Sequence, residues 1–226
     1  MELLITALSP VVILAFYFYY RDKYEKEPLS LLLKCMLMGA LIIIPVLILE
    51  NTLDDFNPFS NEANLGFAGY NAFLVAAFSE EILKLGAVYW IAWDNENFDE
   101  PFDGIVYSVF VALGFAGVEN IFYVWKSGHE IAILRALTAV PAHALFGVAM
   151  GYHLSYAKFS KKFPRINLFM SFFIPFLLHG FYDFIILSRE DFLILCFVPY
   201  IIYLWIRSLK RMKELIESYP IDDQEI

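Results

Sequence analysis

The sequence is short of charge. Lys, Arg, Asp and Glu make up 18% of its 226 residues, and apolar residues make up 60%. A soluble domain carries about 25% charged and about 45–50% apolar residues. Cysteine is nearly missing: Cys35 and Cys196 both lie in apolar runs, without the spacing of a metal site or a redox pair, and read as small buried side chains. There is no "GxSxG", no glycine-rich phosphate loop with its lysine and no "HExxH", so the standard helical zinc-protease site is excluded. No basic stripe is present. The net charge of −9, carried by loops and the tail "IDDQEI", excludes a nucleic-acid partner. Internal repeats and low-complexity linkers are absent too.

What the chain has is long apolar blocks, and a membrane-crossing helix needs about 20 mainly apolar residues. Seven spans are predicted, at roughly 3–20, 29–50, 66–93, 102–126, 131–157, 166–188 and 191–209. The expected architecture is an all-α polytopic helix bundle, a multi-pass protein of the cell membrane. It forms a single integral-membrane domain over 1–226, with a core motif region at about 21–188 and a short cytoplasmic tail at 210–226. The first block has no basic residue before it and no small-residue cleavage site, so it is read as a retained span.

Lysine and arginine set the orientation. One side holds Arg21, Lys23 and Lys26, then Lys158, Lys161, Lys162 and Arg165, then Arg207, Lys210, Arg211 and Lys213; the other holds Lys126, Arg135 and Arg189. The N-terminus is therefore expected outside and the C-terminus in the cytoplasm. The loop "DNENFDEP" (94–101), on the inner side in this scheme, is acidic and has no basic residue.

Against this apolar background a few ionisable residues fall inside the spans. "FSEEILKLG" (78–86) holds Glu80, Glu81 and Lys84. Glu119, with Asn120 beside it, lies in the fourth span, His143 in the fifth, and His179 and Asp183 in the sixth. A charge at mid-membrane is unfavourable by a few kcal/mol even on lenient scales, and marks a functional site by default. Lys84 stands i+4 from Glu80 and i+3 from Glu81, and His179 and Asp183 are i,i+4, so each set shares a helix face. One glutamate is expected to be neutralised by Lys84 and the other left free. Pro141 and Pro175 precede His143 and His179 closely and predict bends. Any one of these groups alone is explained as a helix-to-helix contact; the set, at matching depth on four helices, reads as a site biased toward the outer half. Arg135 falls on the face of His143, two turns outward. "GVAMG" (147–151), Gly114 and Gly117 predict close helix approach.

Carboxylates and imidazoles in a partly dry site can deprotonate water and hold a developing oxyanion. The reaction class they indicate is amide hydrolysis in the membrane. A zinc site of two histidines and a carboxylate is chemically open to the same residues, and a proton- or ion-coupled transporter is the rival use of such groups. A scaffold that binds single-span partners without cleaving them is a third reading.

"EEILK" (80–84), "FAGVE" (115–119) running on to Asn120, "PAHALFG" (141–147) and "HGFYD" (179–183) resemble the PrsW family of intramembrane proteases. "RDKYEKEP" (21–28) and "FDGIVYS" (102–108) are similar to its flanking segments. That family is similar in turn to the CAAX prenyl protease and bacteriocin-immunity group of glutamate proteases, with its "EExxxR", "FxxxH" and "HxxxN/D" blocks. The resemblance implies a glutamate-type endopeptidase; no cofactor or metal is assigned, and a zinc-dependent mechanism stays open. Its partner would be a single-span substrate in the bilayer, such as an anti-sigma factor cut at site 1. It further implies Glu80 as the base that activates water, Glu81 paired to Lys84, and Glu119 sharing the water. His143 would line the site, and His179 would stabilise the oxyanion with Asp183 holding it. From position alone, and not from the resemblance, Asn120 and Arg135 are supporting candidates, Asn120 to orient Glu119 and Arg135 as an interfacial anchor on the face of His143. The chain departs from the prenyl-protease pattern in carrying glutamate for histidine at 119 and aspartate at 183, and an ionised Asp183 cannot donate a hydrogen bond.

Overall fold

A computed structural model describes residues 2–23, 25–59, 65–127 and 129–218. Among them every regular element is helical: α1 (Glu2–Arg21), α2 (Leu29–Leu41), α3 (Ile43–Asp55), α4 (Leu65–Gly69), a π-helix (Tyr70–Ala77), α5 (Phe78–Ala92), α6 (Asp103–Ser127), α7 (His129–Leu137), α8 (Ala139–Phe159), α9 (Pro164–Leu187) and α10 (Asp191–Glu217). Six helices among the described residues are long and apolar enough to cross a membrane. The predicted third span is the continuous run α4–π–α5, from Leu65 to Ala92, whose Glu80, Glu81 and Lys84 make it more polar than the other six. The protein is thus a multi-pass membrane bundle. α10 extends past the predicted span to Glu217; of the expected tail, residues 219–226 lie outside the described residues.

Both the inside and the outside of this bundle are apolar. Leu29, Leu33, Leu37, Leu41, Ile44 and Ile48 run as an exposed stripe along α2 and α3, which in water would be an aggregation surface and in a bilayer meets lipid. α6 is buried on all sides through its first fifteen residues, walled by α1, α2, α5, α7 and α8. Lipid offers no hydrophobic drive between helices, so close packing must hold them. Glycine permits it here. A β-carbon at Gly151 would sit 2.1 Å from the Gly104 carbonyl oxygen, and one at Gly114 would sit 2.0 Å from that of Met36. At Gly117 the nearest atoms are side-chain carbons at 3.5 Å, so that glycine makes no such backbone contact.

The predicted fifth span is two helices. α7 ends at Leu137, Thr138 departs from helical geometry, and α8 starts at Ala139. Pro141 falls in the first turn of α8, where its missing N–H is one of those a helix start leaves unbonded anyway. Pro175 lies within α9, which runs unbroken from Pro164 to Leu187. At the opposite end of α6 from Glu119, Asp22, Glu27, Glu100 and Asp103 are all buried. Burial pushes the Asp22 carboxyl up to about 6, against the pull of Lys26, and the Glu27 carboxyl up to about 7.

Candidate active site

Each ionisable residue singled out in the spans arrives at one place. α5 supplies Glu80, Glu81 and Lys84; α6 supplies Glu119; α8 supplies His143; α9 supplies His179 and Asp183. The π-helix ahead of α5 sets its phase. Each i→i+5 bond puts an extra residue into the turn, a feature that π segments show most often at functional sites. Phe73, within that segment, packs edge-on to Phe181 with ring centres 5.2 Å apart. It also fills the space a side chain at Gly180 would need, which locks the segment against α9 beside His179.

The side chains form a chain of polar contacts. Lys84 Nζ donates to Glu80 Oε2 and Glu81 Oε1, both at 2.8 Å, and lies 3.1 Å from His143 Nδ1. The lysine therefore holds both glutamates, where the sequence led us to expect it to hold one and free the other. An ammonium has three donors and no acceptor, which is enough to serve all three neighbours. Since Lys84 can only donate, His143 Nδ1 accepts, and its Nε2–H donates to Glu119 Oε2 at 3.0 Å. Glu119 also pairs with Arg135 at 2.7 Å. His179 Nδ1 donates to Glu81 Oε1 at 2.9 Å, and its Nε2 faces Asp183 Oδ2 at 3.1 Å. The two imidazoles meet edge to face at 5.1 Å, and Phe146 stacks on His179 at 5.0 Å. Glu81 is fully buried, with its Oε2 unbonded.

Two supporting residues act differently from expectation. Arg135 is a direct partner of Glu119 rather than a distant anchor, and its Nε donates to Asn120 Oδ1 at 3.2 Å. Asn120 does not bond Glu119; its amide donates to the Ala7 carbonyl of α1 at 2.9 Å. Sequence reasoning missed Glu50. It closes the apolar run "LIIIPVLILE" at the end of the second predicted span, yet it lines the same cavity as Glu80, Glu119, His143, His179 and Asp183. That cavity holds about 480 Å³. Its walls include Leu47 of α3, Tyr123 of α6, Leu134 of α7 and Leu187 of α9.

Comparison with known proteins decides the relationship. A family model described as "PrsW family intramembrane metalloprotease" matches residues 27–206. The chain belongs to the PrsW family. "Protease PrsW" of Geobacillus kaustophilus (strain HTA426) is 41% identical over 213 residues, covering 94% of this chain and 92% of that protein. The proteins of the same name from Clostridioides difficile (strain 630) and Bacillus subtilis (strain 168) are 37% and 36% identical. They cover 95% and 92% of this chain, and 91% and 92% of their own lengths. No solved structure matches the chain.

The PrsW family description implies a metal, and the donors here fit one in kind. Glu80, Glu81, His143 and His179 offer ligand atoms within 4.8 Å of one another, and two imidazoles with a carboxylate are a zinc donor set. In the structure the Lys84 ammonium already sits among them, bonded to three of the four.

Proposed function

We propose that the chain hydrolyses a peptide bond in a membrane-anchored protein, with water activated by Glu80. The observation that carries this reading is the single network joining Glu80, Glu81, Glu119, His143, His179 and Asp183 at one cavity. Of the two glutamates, Glu80 lines that cavity and Glu81 does not, which favours Glu80 as the base. Glu80 takes a proton from a cavity water, and the hydroxide adds to the scissile carbonyl carbon. The C–N bond then breaks, and the proton passes from Glu80 to the leaving amine. Lys84 keeps both carboxylates compensated in the dry interior. Glu81 and Asp183 orient His179, whose Nε2–H turns from Asp183 to the developing oxyanion. Arg135 and His143 fix Glu119, which shares the water.

Were a zinc ion bound, His143, His179 and one of the two glutamates would hold it, and it would supply Lewis-acid activation of the same water. Chelation of the purified protein separates the two readings. Activity unchanged by chelator supports the glutamate base, whereas activity lost and restored by zinc overturns it.

The substrate class follows from the family, with an anti-sigma factor cut on its extracytoplasmic side as the proposed example. Under the orientation expected from the basic loops, the cavity walls at Glu50, Tyr123, Leu134 and Leu187 lie toward the outer face. The test compares membranes from cells expressing wild type, Glu80→Gln and Glu81→Gln, with sequencing of new N-termini. Termini within or just outside single-span proteins, present with wild type and absent with Glu80→Gln, are expected. Their absence with folded wild type and substrate present would move the assignment to transporter or scaffold.

A further inference from the structure

Sixteen residues before Glu119, about 24 Å along α6, a second group of acids is buried. Asp22 follows α1, Glu27 precedes α2, Glu100 precedes α6 and Asp103 opens it; none is more than 4% exposed. Oxygen atoms of Asp22, Glu100 and Asp103 lie within 4.8 Å of one another. Asp103 Oδ2 accepts the amides of Asp99 and Glu100, at 3.1 and 2.6 Å. The Tyr107 hydroxyl sits between Glu27 Oε2 and the Asn97 carbonyl.

What these contacts leave over points to a ligand. Asp22 is 1% exposed and neither of its carboxylate oxygens accepts a hydrogen bond; Asp103 Oδ1 is likewise unbonded. The Lys23 and Glu27 amides and the Lys26 charge act on Asp22 from nearby. Lys26, the nearest ammonium on that segment, donates to the backbone carbonyls of Tyr19 and Asp22 instead. A buried ionised carboxylate with no compensating partner is strongly unfavourable. Here Asp22, with neither oxygen in a hydrogen bond, and the unbonded Oδ1 of Asp103 belong to one cluster, on segments where the basic loops gather and where the acidic loop 94–101 otherwise has no explanation.

We propose that Asp22, Glu100 and Asp103, with Glu27 beside them, bind a hard divalent cation of the Ca²⁺, Mg²⁺ or Mn²⁺ class. The donors are all oxygen, which selects that class over zinc or copper. The ion joins the α1–α2 connection to the start of α6, and so clips the bundle at the end away from Glu80. This site does not depend on the proteolytic reading.

The test uses the full chain in detergent, stripped with chelator and titrated with CaCl₂, MgCl₂ or MnCl₂. Thermal unfolding and Tb³⁺ luminescence sensitised by nearby tyrosine are both read. At a hundredfold excess over Kd, at least one of the cations raises Tm by about 5–10 °C, and Ca²⁺ displaces the Tb³⁺ signal. Asp22→Asn, whose carboxylate bonds nothing, and Asp103→Asn both abolish the two effects; His143→Ala, in the intramembrane cluster, keeps them. No Tm rise with any of the three ions, or a full rise retained in Asp22→Asn, overturns the site. So does a response lost in His143→Ala alone.

Discussion

Replacing Lys84 by methionine tests how the intramembrane charges are held. Lys84 is 1% exposed and is the shared partner of Glu80 and Glu81. Without it, Glu81 still accepts from His179 at 2.9 Å, but the nearest nitrogens to Glu80 are imidazole Nδ1 atoms at 3.9 Å, beyond hydrogen-bond reach. Removing one partner of a buried ion pair costs about 3–5 kcal/mol. At about 2–4 °C per kcal/mol for a chain of this size, Tm falls by about 6–20 °C. The imbalance between the two glutamates gives a sharper outcome. In the Lys84→Met background, Glu80→Gln removes the orphaned charge and recovers about 1–3 kcal/mol as coupling energy. Glu81→Gln recovers less, because without Lys84 its Oε1 still accepts the His179 bond. Thermal unfolding of the six proteins, wild type, the three single variants and the two doubles, in one detergent, followed by tryptophan fluorescence, measures both cycles. A Lys84→Met protein within 2 °C of wild type, or a larger recovery from Glu81→Gln, would refute the shared-lysine arrangement.

Other contacts lead to outcomes of their own. Arg135→Gln removes the ion-pair partner of Glu119, 2.7 Å away, so kcat/KM for a cleaved reporter peptide should fall about tenfold, a loss of about 1.4 kcal/mol, while the protein stays folded. Phe146→Ala takes a 1% exposed ring off His179; it should destabilise by about 3–5 kcal/mol, seen as a lowered Tm. Gly114→Ala drives a β-carbon into the Met36 carbonyl and should destabilise by about 1–3 kcal/mol. Gly117→Ala meets only side-chain carbons at 3.5 Å and should leave Tm within about 2 °C.

By itself the sequence determined that this chain lives in a bilayer and which of its ionisable residues lie within the spans. Apolar blocks of span length admit little else, and a carboxylate or imidazole inside one must find a partner or a wet cavity. That requirement picked out Glu80, Glu81, Lys84, Glu119, His143, His179 and Asp183, and i,i+4 spacing matched Lys84 to Glu80 and His179 to Asp183 before any coordinates. Tertiary structure decided the rest. That Lys84 serves His143 as well as both glutamates, that Arg135 pairs with Glu119, and that Asn120 turns to Ala7 all depend on which face of one helix meets which face of another. Helical periodicity fixes the residues sharing a face, but not the neighbour that face meets. Here that neighbour is set by backbone approach at Gly104, Gly114 and Gly151, and by a π-helical turn that "YNAFLVAA" does not announce. Glu50 and Asp22 were hidden for the same reason: each stands at the end of an apolar run, where sequence assigns a carboxylate to water, and only packing shows it turned inward.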